Sequence, residues 1–111
     1  MSARPDVSRL ALALPEAVEA PHHGFPSFRV RTKIFATWPD AEHLHVMLDA
    51  DDARRAVAAE PACCEELWWG KTLSGVRVIL ARAEPALVDE LLRAAWLRRA
   101  PASLRPLLDD E

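Results

Sequence analysis

Cysteine is scarce in this chain, which has only two cysteines, Cys63 and Cys64, in 111 residues. The two are adjacent, and the distance of ~3.8 Å between consecutive Cα atoms is shorter than the usual span of a disulfide. The pair also lacks the two-residue spacer that is typical of redox and zinc motifs. We therefore interpret both as structural thiols, in a chain long enough to form a core without a disulfide or metal.

Long apolar runs and an excess of positive charge are also missing. The first ten residues, MSARPDVSRL, are not followed by a long apolar segment. The sequence thus predicts neither a signal peptide nor a transmembrane helix, and we expect a cytoplasmic protein without a membrane partner. The net charge of −3 at pH 7 excludes a general attraction to phosphate backbones, so binding of nucleic acid would need a local basic patch.

Catalytic and cofactor-binding motifs are absent as well. The Gly-Lys-Thr at 70–72 lacks the upstream glycine and the long following helix of a phosphate-binding loop. No serine stands in a nucleophile-elbow context, and the paired acidic residues are typical of helix starts, a loop and a tail. We therefore predict that the protein is not an enzyme and has no cofactor.

Four histidines raise the question of a metal site. His43 and His45 lie on one face of a predicted strand, a spacing that suits two ligands of one ion. His22 and His23 belong to a proline-rich segment whose position the sequence does not define. Because no third ligand is specified, we interpret the histidines as surface or interface side chains and predict no metal, with a metal-dependent enzyme as the least favoured hypothesis.

Half of the residues are hydrophobic and 28% are charged, as in a globular domain with a core. Periodicity and turn residues predict helices over 2–14, 49–60 and 84–99, a loop over 15–26, and strands over 27–31, 33–38, 43–48 and 75–81. The segment 63–71 is ambiguous between a strand and irregular structure, and we take it as the first strand of a second hairpin. The order α-β-β-β-α-β-β-α predicts an α+β fold, a two-layer sandwich of an antiparallel sheet with helices on one face. We expect one domain over 1–104 and a short C-terminal tail over 105–111.

The first hairpin, SFRVR followed by KIFATW, has Arg31 and Thr32 at its predicted tip. A two-residue turn places Val30 opposite Lys33, and Phe28 opposite Phe35. Phe28, Val30 and Phe35 would then face the core, while Arg29, Ile34 and Ala36 would face away from it. The second hairpin is expected to turn through 72–75.

The basic residues on and near these hairpins are the best candidates for function. They are Arg29, Arg31, Lys33, Lys71 and Arg77. Alternation places Arg29 and Arg77 on the sheet face away from the helices, together with apolar residues such as Ile34 and Met47. Trp68 and Trp69 point to opposite sides of their strand, so that Trp69 can stack on a base or anchor a dimer.

These residues support two functions of different kinds. In the first, the protein binds DNA, with the five cations contacting phosphates and Trp69 contacting a base. In the alternative, the mixed apolar and basic sheet face binds another protein or a second copy of the chain, as an interaction or chaperone-like module without nucleic-acid binding.

Four segments in this order and spacing resemble the MmcQ/YjbR family of small bacterial proteins. They are LALALPEAVEA, HGFPSFRVRTKIFATW, VMLDADDARRAVAAEP and ELLRAAWLRRAP. PSFRVRTKIFA is the most specific of them, because it is similar to the family pattern P-x-F-x-V-x-x-K-x-F-A. The resemblance implies a CyaY-like or secretion-chaperone-like α+β fold and a DNA-binding function. It also implies a contact role for Lys33 at the hairpin end, next to Thr32, which stands where the family commonly has glycine.

Overall fold

The computed structural model describes residues 6–109, which form an antiparallel sheet covered by helices. The chain begins with helix α1 (Val7–Leu12) and continues through four strands: β1 (Ala17–His22), β2 (Phe25–Val30), β3 (Lys33–Asp40) and β4 (His43–Met47). Helix α2 (Ala50–Ala59) precedes strands β5 (Cys64–Trp69) and β6 (Thr72–Ile79). Helices α3 (Pro85–Arg99) and α4 (Arg105–Asp109) follow. The predicted α+β class is confirmed.

The six strands are arranged in the order β1-β2-β3-β4-β6-β5, and every neighbouring pair is antiparallel. Strands β1 and β5 are therefore the two edges. Side chains of α1, α2 and α3 share one hydrophobic cluster with the strands, in which Trp96, Phe28 and Phe35 are fully buried. In the described part of the chain, none of the helices has the length and apolar character needed to cross a membrane.

The sequence predicted a loop over 15–26, and this prediction is wrong because the segment contains strand β1. Ala17 to His22 pair with Val30 to Phe25, and His23 and Gly24 form the connecting turn, both with positive φ. The prolines misled the prediction, because Pro21 is tolerated on an edge strand such as β1. Pro26 lies near the start of β2, before the pairing of β2 with β3 begins at Ser27. The first helix is also shorter than the predicted 2–14, and residues 2–5 lie outside the described part.

The predicted register of the first hairpin is correct at the tip and wrong further from it. Val30 pairs with Lys33 as predicted, but an irregularity after Phe28 places this residue opposite Ala36 instead of Phe35. Phe35 and Ala36 are consecutive and both fully buried, as expected where a β-bulge interrupts the alternation. Ala36 therefore faces the core and not the opposite side.

The second hairpin turns earlier than predicted. Gly70 and Lys71 connect β5 to β6, whereas Thr72 to Gly75 already belong to β6 and pair with Trp69 to Leu67. At the C-terminus, the predicted tail over 105–111 contains helix α4. Leu108 of this helix is buried in the main hydrophobic cluster.

Candidate functional site

Three structural elements meet at the end of the sheet where β2 turns into β3. They are this hairpin tip, the last turn of α3 and the segment that leads into α4. Together they line a cleft of about 340 Å³. We call it the basic cleft because its charged residues are all cations: Arg31, Lys33, Arg98, Arg99 and Arg105.

The hairpin tip holds Arg31 and Thr32 in an unusual backbone conformation. Both residues have positive φ, 48° and 72°, which is the geometry of a tight two-residue turn that favours glycine and asparagine. For a β-branched residue such as Thr32 this conformation is unfavourable. The turn is thus tight although Thr32 occupies it, and the neighbouring structure must compensate for its strain.

Arg31 pairs with the carboxylate of Glu16, the residue that precedes β1. Its Nε donates to Glu16 Oε1 at 2.6 Å and its terminal nitrogen donates to Oε2 at 3.1 Å. This bidentate pair lowers the pKa of Glu16 and raises that of Arg31, in both cases chiefly through the hydrogen bonds. The pair is exposed, so its main effect is to orient the Arg31 side chain.

Arg99 is the half-buried cation of the cleft. Burial, with a smaller effect of neighbouring Arg98, lowers its pKa. Its Nε is buried and has no hydrogen-bond partner among the described residues. A buried donor on a charged group is costly when unpaired. Arg99 also lines the cleft, so the exposed part of its side chain is suited to donate to an anionic ligand there.

A second cleft, of about 510 Å³, adjoins the first and shares Lys33 and Arg99 with it. Its other side chains include Ile34, Met47 and His22, and the indole of Trp69, which is 57% exposed. We call it the aromatic cleft. Because the two clefts share two cations, the site combines a cationic, anion-binding subsite with an apolar one.

Acidic residues border the basic cleft on its other side. Asp49 and Asp52 line a neighbouring cavity together with Arg98 and Arg105. The Asp49 carboxylate caps α2 by accepting from the Asp52 backbone N–H at 2.8 Å, and Asp52 lies 3.4 Å from the Arg55 guanidinium. Local partners thus engage part of this negative charge, which limits its effect on the cleft.

Three of the six predicted site residues line these clefts: Arg31, Lys33 and Trp69. Lys71 is exposed in the turn between β5 and β6. On the sheet, Arg29 donates to Ser27 Oγ at 3.0 Å, and Arg77 donates to His45 Nε2 at 3.2 Å and lies 4.0 Å from Glu65. Arg29 and Arg77 are thus held by neighbouring residues of the sheet.

The prediction missed Arg98, Arg99 and Arg105. Arginines in the last turn of a helix complement its dipole, and this local role was a sufficient explanation for the pair that ends α3. The sequence did contain a signal in the RRAP segment, which belongs to the family resemblance. It did not indicate that the end of α3 lies beside the β2–β3 tip.

The histidines do not come together as metal ligands. His43 Nδ1 lies 3.0 Å from the Asp40 carboxylate, and the ring of His22 packs 4.3 Å from that of His23. Burial, followed by the charges of Arg77 and His43, lowers the pKa of His45. Within residues 6–109, no three histidine, cysteine or acidic side chains form a group that could hold a metal ion.

The vicinal thiols are buried, as a structural role requires. Both cysteines are free, and each is only 2% exposed. Burial, with the neighbouring Cys63, raises the pKa of Cys64 to about 12. Since the thiolate is the reactive form, Cys64 is a poor nucleophile in the folded protein.

Comparison with known proteins agrees with this architecture. The sequence profile of the YjbR family matches residues 12–98, which include the β2–β3 hairpin and almost all of α3. The chain belongs to the YjbR family. No curated protein matches it. A solved YjbR-family structure, Deinococcus radiodurans protein DR2400 with its DUF419 domain, superposes with a TM-score of 0.72 at 19% identity. The match covers 94% of this chain and 86% of that one. At this identity the likeness establishes the fold alone.

Proposed function

We propose that this YjbR-family protein is a non-enzymatic cytoplasmic module that binds DNA through the phosphate backbone. The observation that carries the proposal is the basic cleft, where five cationic side chains converge although the chain as a whole has a net charge of −3. A local patch of this kind is what a protein with negative net charge needs in order to attract a polyanion.

The elements that form the cleft also favour this function. Lys33 and Arg31 come from a hairpin tip, while Arg98 and Arg105 are exposed on neighbouring helices. Exposed cations on separate elements can contact successive phosphates, and the half-buried Arg99 adds a further positive charge to the same cleft. The polar groups of the site are thus suited to binding a polyanion.

The proposal is tested by fluorescence anisotropy of labelled DNA at several salt concentrations. We expect wild-type binding to weaken as salt rises, and Lys33→Gln/Arg98→Gln to bind about ten-fold or more weakly at low salt. If each of the two side chains neutralises one phosphate of a duplex, the plot of log K against log salt should be shallower for the double variant, by about 1.8 in slope. Absence of wild-type binding at the lowest salt concentration would refute DNA binding.

Two further variants control for net charge. Arg77→Gln removes a cation from the sheet, where His45 and Glu65 already engage it, and should change affinity by less than about two-fold. Asp52→Asn removes a negative charge beside Arg98 and Arg105, and should strengthen binding slightly at low salt. An equal loss in Arg77→Gln and the double variant would show that the cleft has no special role.

A second candidate function, homodimerisation, is favoured by the edge strand β5. Trp68 and Trp69 are 46% and 57% exposed there, and the strand has no proline or lysine to block pairing. Antiparallel pairing of two copies centred on Leu67 would place Glu66 opposite Trp68, and so keep the glutamates apart. If the chain dimerises in this way, sedimentation should show a concentration-dependent dimer that Trp68→Glu abolishes. A monomer at all concentrations would exclude it.

A further inference from the structure

We infer that the site binds single-stranded nucleic acid in preference to duplex, with phosphates in the basic cleft and an unpaired base in the aromatic cleft. This inference rests on the proposed function, and it adds the form of the nucleic acid and the residue that recognises it. It starts from the shared boundary of the two clefts, since Lys33 and Arg99 line both. A ligand that occupies both must join an anionic group to an apolar one by a short link, as a nucleotide does.

The aromatic cleft has the chemistry of a base-binding platform. Ile34 and the buried Met47 line it alongside the exposed indole of Trp69. Its volume of about 510 Å³ lies within the range of sites for small organic molecules. Bases stack on indole rings whatever their identity, and the half-buried His22 adds a polar group at the rim. The cleft therefore favours a planar ring without requiring one particular sequence.

The preference for a single strand follows from where bases lie in each form. In a duplex the faces of the bases are stacked on one another, so no base can reach Trp69 unless it leaves the helix at a cost of a few kcal/mol. In a single strand that cost is small, and stacking on an aromatic side chain contributes about 1–3 kcal/mol per base. The basic cleft by itself contacts phosphates of either form, so Trp69 is what discriminates.

Trp68 supplies a matched control, because it is the neighbouring tryptophan and is similarly exposed. It points to the other side of β5, pairs with Leu73 of the main core cluster, and donates its indole N–H to the Glu66 carboxylate at 3.1 Å. Trp68 lines neither the basic cleft nor the aromatic cleft, and the Glu66 carboxylate places a negative charge beside its indole. Trp68 should therefore contribute nothing to nucleic-acid binding.

The experiment compares a labelled single-stranded 20-mer with the same 20-mer as a duplex, by anisotropy at low salt. We expect the wild type to favour the single strand. Trp69→Ala should weaken single-strand binding about 5- to 150-fold, which corresponds to the stacking energy of one base, and leave duplex binding unchanged. Trp69→Phe should restore most of the loss, and Trp68→Ala should match the wild type. A strand in which an abasic site replaces the bound base should also bind more weakly to wild type but not to Trp69→Ala.

The outcomes separate this inference from the function on which it rests. Equal effects of Trp69→Ala and Trp68→Ala, or a wild type that binds duplex at least as well as the single strand, would overturn the single-strand preference and leave DNA binding intact. Binding of neither form would refute the proposed function itself. If thermal unfolding shows that Trp69→Ala is poorly folded, the abasic strand still tests the inference with the wild type alone, which should bind that strand more weakly than the intact one.

Discussion

Gly75→Ala should destabilise the domain by about 3 kcal/mol or more, because the added methyl group has no space. Gly75 lies in β6 opposite Met47 of β4. A Cβ at this position would stand 2.0 Å from the Val46 carbonyl oxygen and 3.0 Å from the Leu48 nitrogen. Both are backbone atoms near the centre of the sheet, and Leu48 N–H already donates to Ser74 O at 3.1 Å. The clash can be relieved only by separating β4 from β6.

Thermal and urea unfolding followed by circular dichroism would measure this loss. A loss of 1 kcal/mol lowers the Tm of a domain of this size by about 4–8 °C, so the variant should melt at least about 12 °C below the wild type. Gly70→Ala is the matched control. Gly70 also has a positive φ, of 60°, but a Cβ there meets no atom within 4 Å, so we expect a loss of only about 1 kcal/mol. Similar melting temperatures for the two variants would contradict the steric argument.

Trp96→Ala should cost about 3–5 kcal/mol, and Trp96→Phe about 1–3 kcal/mol. Trp96 is fully buried in α3, and its indole N–H donates to the Pro15 carbonyl at 2.9 Å. This bond joins residues 81 positions apart and holds the segment that carries α1 into β1. Alanine removes both the packing and the bond, whereas phenylalanine retains most of the packing and leaves the carbonyl unpaired.

Urea unfolding should rank the proteins as wild type, then Trp96→Phe, then Trp96→Ala. Trp68→Phe is the control, since Trp68 is an exposed tryptophan and its replacement should change stability by less than about 0.5 kcal/mol. Equal losses in the two Trp96 variants would show that the Pro15 bond accounts for the whole effect and that packing contributes little.

The sequence predicted most elements because their signals are local. The three-residue and four-residue spacing of α3, the alternation of β4 and the turn at Arg31 and Thr32 each lie within a few residues of one another. Strand β1 failed this test because its proline, Pro21, is unfavourable for strands in general and acceptable at an edge. Whether a strand lies at an edge depends on all the other strands, and so no local pattern could reveal it.

The candidate site was predicted in part for a related reason. Arg31, Lys33 and Trp69 were recognised from the hairpins on which they lie, and the structure brings them to two adjoining clefts. Arg98, Arg99 and Arg105 were not, because their convergence on the β2–β3 tip depends on how α3 packs across β3 and β4. Arg29 and Arg77 looked equivalent to Lys33 in the sequence, but the sheet provides them with nearby partners.

By itself, the sequence determined the class of fold, the family, most of the secondary structure and the core residues of the first hairpin, including Phe28 and Val30. Short-range sterics and hydrophobic periodicity are sufficient for these features, since each depends on neighbouring residues. Only the tertiary structure decided the bulge that turns Ala36 inward, the edge position of β1, and the gathering of five cations in a cleft that adjoins the cleft of Trp69. These features depend on contacts between residues far apart in the chain, and a local sequence pattern cannot predict such contacts.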